Sequence, residues 1–176
     1  MLNITGQIFG IAGFIITALS YQAKSNKNLF ILQALGGLSF SVNFFCILDL
    51  SSALFNMSNV VRGFIFSKSK KRLWEVLIVE LLYTLCFVFS LTRIWGVWLD
   101  VALSVLTFSS LIVMSVVMWR ANPGHIRYTQ LFVVSPAWLT NNIFHFTLGG
   151  ILCEVLSMIS VVVSFIRYGK DGFKNQ

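Results

Sequence analysis

Seven long apolar runs, each parted from the next by a few polar residues, leave this chain little choice of fold. They cover residues 6–22, 28–48, 51–67, 73–91, 101–119, 126–147 and 150–167, close to the roughly 17 to 25 residues an α-helix needs to cross a hydrocarbon core about 30 Å thick. Hydrophobic residues make up 57% of the 176 and charged residues 11%, and the mean hydropathy is +0.83, well outside the range of a soluble domain of this size. No two-residue alternation marks barrel strands. The sequence therefore predicts an all-α membrane protein with seven transmembrane helices.

The net charge of +7 and pI of 9.7 acquire a meaning once the breaks between runs are assigned alternately to two faces. One face then holds Lys24, Lys27, Lys68, Lys70, Lys71, Arg72, Arg120, Arg127, Arg167, Lys170 and Lys174, the other holds Arg93, and Arg62 lies within a run. By the positive-inside rule the rich face is cytoplasmic, the N-terminus is outside and the C-terminus is inside. Basic residues grouped this way are topology signals that anionic lipid also attracts, and no nucleic-acid partner is expected. Trp74, Trp95, Trp98 and Trp119 fall at run ends, where an amphipathic ring suits the headgroup level, whereas Trp138 falls near mid-membrane. Only Met1 to Thr5 precede the first run, without the basic start of a cleavable signal peptide, so the first helix is expected to stay.

Shifting the chain against itself by about 98 residues aligns the first three runs with the last three. The predicted organisation is three plus one plus three: a first three-helix repeat over 1–72, a linker helix with its outer loop over 73–100, and a second repeat with a cytoplasmic tail over 101–176. A single linker span gives both triplets the same orientation, the parallel kind of repeat. What repeats is the placement of polar residues. Ser52, Asn56 and Asn59 fall opposite Gly150, Glu154 and Ser157, and steps of four and three residues hold each trio within an arc of about 60°. Ser135, Trp138, Asn142 and His145 share a face of the sixth run, and Gly36, Ser39, Asn43 and Cys46 share one in the second. Polar groups facing lipid are costly, so these stripes are expected to turn toward one another around a common interior. Gly6, Gly10, Gly13, Thr17 and Ser20 form a small-residue face suited to close helix packing.

Several residues carry possible chemistry. Glu154, inside the outer end of its run, costs about 2.5 to 3.5 kcal/mol to insert if central and charged, and reads either as a proton-coupling or binding carboxylate or as a group reaching headgroups or a neighbour. Asn56 and Asn59 are too short to reach water from mid-span and need partners from other helices, a wet cavity or a ligand. Arg62 lies near enough to the cytoplasmic end to snorkel. Trp138 offers a stacking surface, and His145 offers a titratable ring. Glu80, in the linker run, needs a partner such as Tyr83, Thr84 or a neighbouring helix. Cys46, Cys86 and Cys153 all lie within apolar runs and read as packing residues. No metal site and no cofactor are expected, and the lack of a serine motif, carboxylate pair, HExxH or phosphate loop points away from an enzyme.

Two stretches carry a family resemblance: SALFNMSNVVRGFI at 52–65, followed by a basic loop, and SPAWLTNNIFHFTLGGILCEVLSMISVVVSFIRY at 135–168. They resemble the YgjV-like family of bacterial inner-membrane proteins, and the resemblance covers most of the chain. The architecture resembles the SWEET and PQ-loop transporter superfamily, which implies facilitated diffusion of a small polar solute such as a sugar through a pocket lined by asparagine and tryptophan. By position, the matching residues are Asn56, Trp138, Asn43 and Asn142. The Pro-Gln pair of that superfamily is replaced by Tyr21-Gln22 and Trp119-Arg120.

Two functions are compatible with this reading. One is a carrier in the inner membrane, with solute held between the repeats by Asn56, Asn59, Trp138, Asn142 and Asn43, and with Glu154, His145, Ser157 and Arg62 supplying proton coupling or a polar interior. The other is a non-transporting receptor or assembly protein that holds a partner on its basic cytoplasmic face. A homo-oligomer is compatible with both.

Overall fold

The structure, a computed structural model, describes residues 4–20, 26–68, 70, 72–120 and 123–168. Tyr21, Gln22, Lys24, Lys71, Lys170 and Lys174 lie outside the described residues. Among the described residues the chain forms seven helices: α1 (Ile4–Ser20), α2 (Asn26–Cys46), α3 (Leu50–Ser67), α4 (Leu73–Ile94), α5 (Trp98–Arg120), α6 (123–144) and α7 (Leu148–Tyr168). Of these, α4 and α5 are long and apolar enough to cross a membrane, and Ile4–Ser20, Phe30–Cys46 and Leu148–Val163 are shorter apolar helical segments.

Local chemistry explains the helix ends. The Asp49 carboxylate caps α3 by accepting from the Ser52 amide at 3.1 Å. Glu75 folds back over the start of α4, accepting from the Lys70 and Arg72 amides at 3.1 and 3.2 Å. Asp100 in the first turn of α5 and Arg120 in its last complement the helix dipole.

Helix α6 is not uniform. Pro123–Thr129 and Ser135–Phe144 are α-helical, and Gln130–Val134 between them is a π-helical turn in which the Ser135 amide reaches back to the Gln130 carbonyl. The turn stands just ahead of Pro136, whose ring cannot donate and crowds the carbonyl four residues back.

The α2–α3 and α6–α7 connections are the same turn. In the first, the amides of Ile47, Leu48 and Asp49 donate to the carbonyls of Asn43, Phe45 and Phe44. In the second, those of His145, Phe146 and Thr147 donate to Asn141, Ile143 and Asn142, each bond 98 residues further along the chain. Leu48 and Phe146 hold the left-handed position, with φ of 65° and 54°. This is a Schellman ending with a bulky residue where glycine is usual.

Helix α1 packs on α2 and α7, α2 on α3, α3 on α5, α5 on α6, and α6 on α7, so six helices close a ring; α4 packs on α3 and α5. Gly6, Gly10 and Gly13 sit against Cys46, Asn43 and Phe40 of α2, which is the close packing expected of that face. Gly149 meets the backbone of Gly10 directly and joins α7 to α1.

The distribution of polarity is reversed relative to a soluble bundle. Ile8, Leu38, Phe64, Leu81, Val113 and Ile159 are among the many large apolar side chains facing out. Asn43, Ser52, Asn56, Thr107, Asn141 and Asn142 are buried. Lipid solvates the first set and the ring's own hydrogen bonds satisfy much of the second. Trp95 and Trp98 are exposed at a helix end, and Trp74 half so. Trp119 instead packs partly against the core.

Candidate functional site

A cavity of about 120 Å³ lies inside the ring. Asn56, Asn59 and Arg62 approach it from α3, Gln130, Trp138 and Asn142 from α6, and Gly150, Glu154 and Ser157 from α7; Thr17, Gln33, Phe40 and Phe44 complete the wall from α1 and α2, with Leu111, Met114 and Met118 from α5. Positions 98 residues apart recur as pairs on the wall: Phe40 with Trp138, Phe44 with Asn142, Asn56 with Glu154, and Asn59 with Ser157. The Phe44 and Trp138 rings meet between α2 and α6 with centroids 5.9 Å apart.

Three polar side chains of α3 on the wall are held from behind. Asn56 donates through Nδ2 to the Ser52 carbonyl at 2.9 Å. Asn59 Oδ1 accepts from the hydroxyl of Tyr83, a fully buried residue of α4. Arg62 turns inward, so the snorkelling its position allows is not what occurs: it is 9% exposed, its guanidinium lies 5.9 Å from the Tyr83 ring centre, and Nη1 donates to Ser115 Oγ at 3.4 Å. Its Nε is buried without a hydrogen bond. Tyr83 offers the guanidinium a ring face on that side.

Glu154 stands near the Ser135 hydroxyl, which accepts from Gln130 Nε2 at 3.0 Å. Its Oε2 is shielded and has no hydrogen bond, and the same is true of Asn142 Oδ1. Gly150 leaves room for the Asn142 amide, since a Cβ there would overlap it. On α4, Glu80 has both carboxylate oxygens shielded and without a hydrogen bond, and no ion pair within 4.0 Å joins it to Arg62.

The second-run stripe of Gly36, Ser39, Asn43 and Cys46 does not line the cavity, because Gly36, Asn43 and Cys46 pack against α1, and His145 also stands elsewhere. Asn43 is fully buried but donates to the Gly6 carbonyl at 2.6 Å, binding α2 to α1 away from the cavity. The glycine at position 6 lets the two backbones approach, and Asn43 fills the resulting seam. His145 belongs to a different cluster at the turn end of the ring. There Nδ1 lies 3.6 Å from Asp49 Oδ2 and 3.1 Å from the Asn141 carbonyl, and Nε2 lies 3.9 Å from Asp100 Oδ1. Arg93, Ser51 and Ser104 share that cavity, of about 650 Å³. Sequence reasoning passed over Asp49 and Asp100, although both sit at helix starts of the same predicted face as His145. It also passed over Gln33 and Gln130, which lie closer to run ends. No group of three or more His, Cys, Asp or Glu that could hold a metal occurs among the described residues.

Beside this geometry stands one comparison that identifies the chain. A family model described as bacterial inner membrane protein, Imp-YgjV, matches residues 4–171. The chain belongs to the YgjV family. Searches of curated proteins and of solved structures gave no match. Membership of the YgjV family accounts for the apolar exterior: this is a bacterial inner-membrane protein, and lipid is its solvent.

Proposed function

We propose that this YgjV-family protein is a carrier or facilitator for a small polar solute bound between two parallel three-helix repeats. The observation that carries this reading is the cavity itself: about 120 Å³ inside the ring, walled by Asn56, Asn59, Arg62, Asn142 and Glu154 from three helices. A few convergent polar and charged side chains in an otherwise apolar hollow are what a small-molecule site needs for orientation and specificity. By the measure in which one water needs about 10 to 15 Å³, the space suits several waters or a small solute.

The repeat reading draws support from the duplicated turn, from wall positions that recur 98 residues apart, and from the contacts of α3 with α5 and α7 with α1, which exchange under the same relation. On this view the triplets are 1–72 and 101–176, α4 is the linker, and the turn end faces outward with the basic residues in the cytoplasm. Asn141, His145 and Gln7 then tie the triplets at the outer end: Gln7 donates to the Phe146 carbonyl and accepts from the Leu148 amide, both at 3.2 Å.

The test is water-soluble thiol labelling of single cysteines at 56, 59, 142 and 154, in intact membranes and in a chain without its native cysteines. Labelling that a small polar solute suppresses is expected. Complete protection in folded protein would overturn the proposal, because a dry interior carries nothing.

A further inference from the structure

The cavity holds a cation and a carboxylate that do not meet. Arg62 and Glu154 both line it, yet no ion pair within 4.0 Å joins them. Each keeps a buried atom without a partner: Nε of Arg62 and Oε2 of Glu154. Arg62 is held from behind by Ser115 and the Tyr83 ring, and Glu154 stands near the Ser135 hydroxyl. Those contacts orient the charged groups without neutralising them toward the cavity.

On the repeat reading the two charges are also ordered along the ring axis. Counting from the first residues of α3 and α7 then puts Asn56 and Glu154 at matching positions, Asn59 and Ser157 a turn deeper, and Arg62 deeper again. The backbone offset is about 9 Å at 1.5 Å per residue, and a long side chain leaning toward its helix N-terminus shortens it. Amide groups occupy the interval. An unpaired charge in a desolvated site is strongly unfavourable, and two opposite ones held apart are relieved together by a single molecule with a positive and a negative end. An anion relieves Arg62 alone and leaves Glu154; a cation does the reverse; a neutral solute relieves neither.

We infer that the solute of this cavity is a small zwitterion, its ammonium group toward Glu154 and its carboxylate toward Arg62, with Asn56, Asn59 and Asn142 bonding the atoms between. The inference rests on the carrier reading above and narrows it to a substrate class.

Four small probes test it: labelled L-alanine, L-lactate and L-lactamide, which share one size, and the smaller ethylamine; they are respectively zwitterion, anion, neutral and cation. Each is offered to proteoliposomes of phosphatidylethanolamine and phosphatidylglycerol containing the full chain, with protein-free vesicles as the blank. Alanine is expected to enter at least tenfold faster than the other three. Arg62→Gln should abolish its advantage over ethylamine, and Glu154→Gln its advantage over lactate. Lactamide, lactate or ethylamine entering as fast as alanine in the unmodified protein overturns the zwitterion inference and leaves the carrier standing. Entry of none of the four above the blank overturns both. The unmodified protein decides the question even where a variant fails to fold.

Discussion

Asn141 donates from Nδ2 to the hydroxyl oxygen of Ser52 at 2.9 Å, across 89 residues of sequence. Both groups are buried, and the bond joins α6 to α3 just beside the cavity wall. Ninety-eight residues earlier, Asn43 bonds the Gly6 carbonyl instead, so the same residue type joins α6 to α3 in one place and α2 to α1 in the other. The Asn141 bond thus couples two helices far apart in sequence through a named pair.

That coupling is measurable. Ser52→Ala and Asn141→Ala, alone and together, form a double-mutant cycle in denaturant unfolding of the detergent-solubilised protein. The interaction energy is expected at about 0.6 to 1.7 kcal/mol, the range seen for hydrogen bonds between membrane helices. Full additivity of the two substitutions would mean the bond does not form.

Arg62 supplies a second prediction. With the guanidinium turned in over Tyr83 and bonded to Ser115, Arg62→Ala removes that packing and leaves the Ser115 hydroxyl without its donor. A destabilisation of about 1 to 3 kcal/mol is expected, the scale of losing a buried hydrogen bond to a charged group. An Arg62 that merely snorkelled would give an unfolding midpoint indistinguishable from the unmodified protein.

Much of this arrangement is legible in the sequence, for definite reasons. Polar residues spaced by three and four in an otherwise apolar run have one way to avoid lipid, which is why Asn56, Asn59, Trp138, Asn142, Glu154 and Ser157 all stand on the cavity wall. Asn43 carries the same signal and faces α1 instead, because the glycines of α1 open a seam there; only the partner helix decides between the two. Arg62 is equally ambiguous, since its length permits either direction and the ring it meets, Tyr83, is on another helix. The π turn at Gln130–Val134 leaves no trace in composition, because one extra residue in an apolar run does not alter its hydropathy. Helix starts were displaced by about three residues where Asp100 and Pro123 extend α5 and α6 beyond their apolar cores.

The closure of the ring between α1 and α7 depends on Gly149. A Cβ there would overlap the Gly10 carbonyl group, which is backbone and cannot swing aside. Gly149→Ala should therefore force the helices apart and destabilise the protein by about 2 kcal/mol or more, the scale of overpacking. Gly96→Ala is the contrast: nothing lies within 4 Å of its Cβ position, and only its φ of +100° is strained, at about 1 to 2 kcal/mol. Thermal unfolding in detergent ranks the pair. A Gly149→Ala variant as stable as the parent would mean α1 and α7 do not approach as closely as described.

Leu48 and Phe146 adopt left-handed backbone that a glycine would occupy without strain, and both side chains are largely exposed, at 90% and 68%. The left-handed conformation costs a β-carbon-bearing residue about 1 to 2 kcal/mol, while glycine gives back about 0.5 to 1 kcal/mol through the freedom of the unfolded chain. Leu48→Gly and Phe146→Gly should accordingly leave stability in detergent unchanged or raise it by about 0.5 kcal/mol. In a bilayer the result should differ, because an exposed leucine or phenylalanine at a helix end adds contact with the membrane that glycine lacks. A variant pair that gains stability in micelles and loses it in lipid vesicles identifies these residues as anchors bought at the expense of backbone strain. Equal loss in both media would instead show that the side chains pack within the protein, contrary to their exposure.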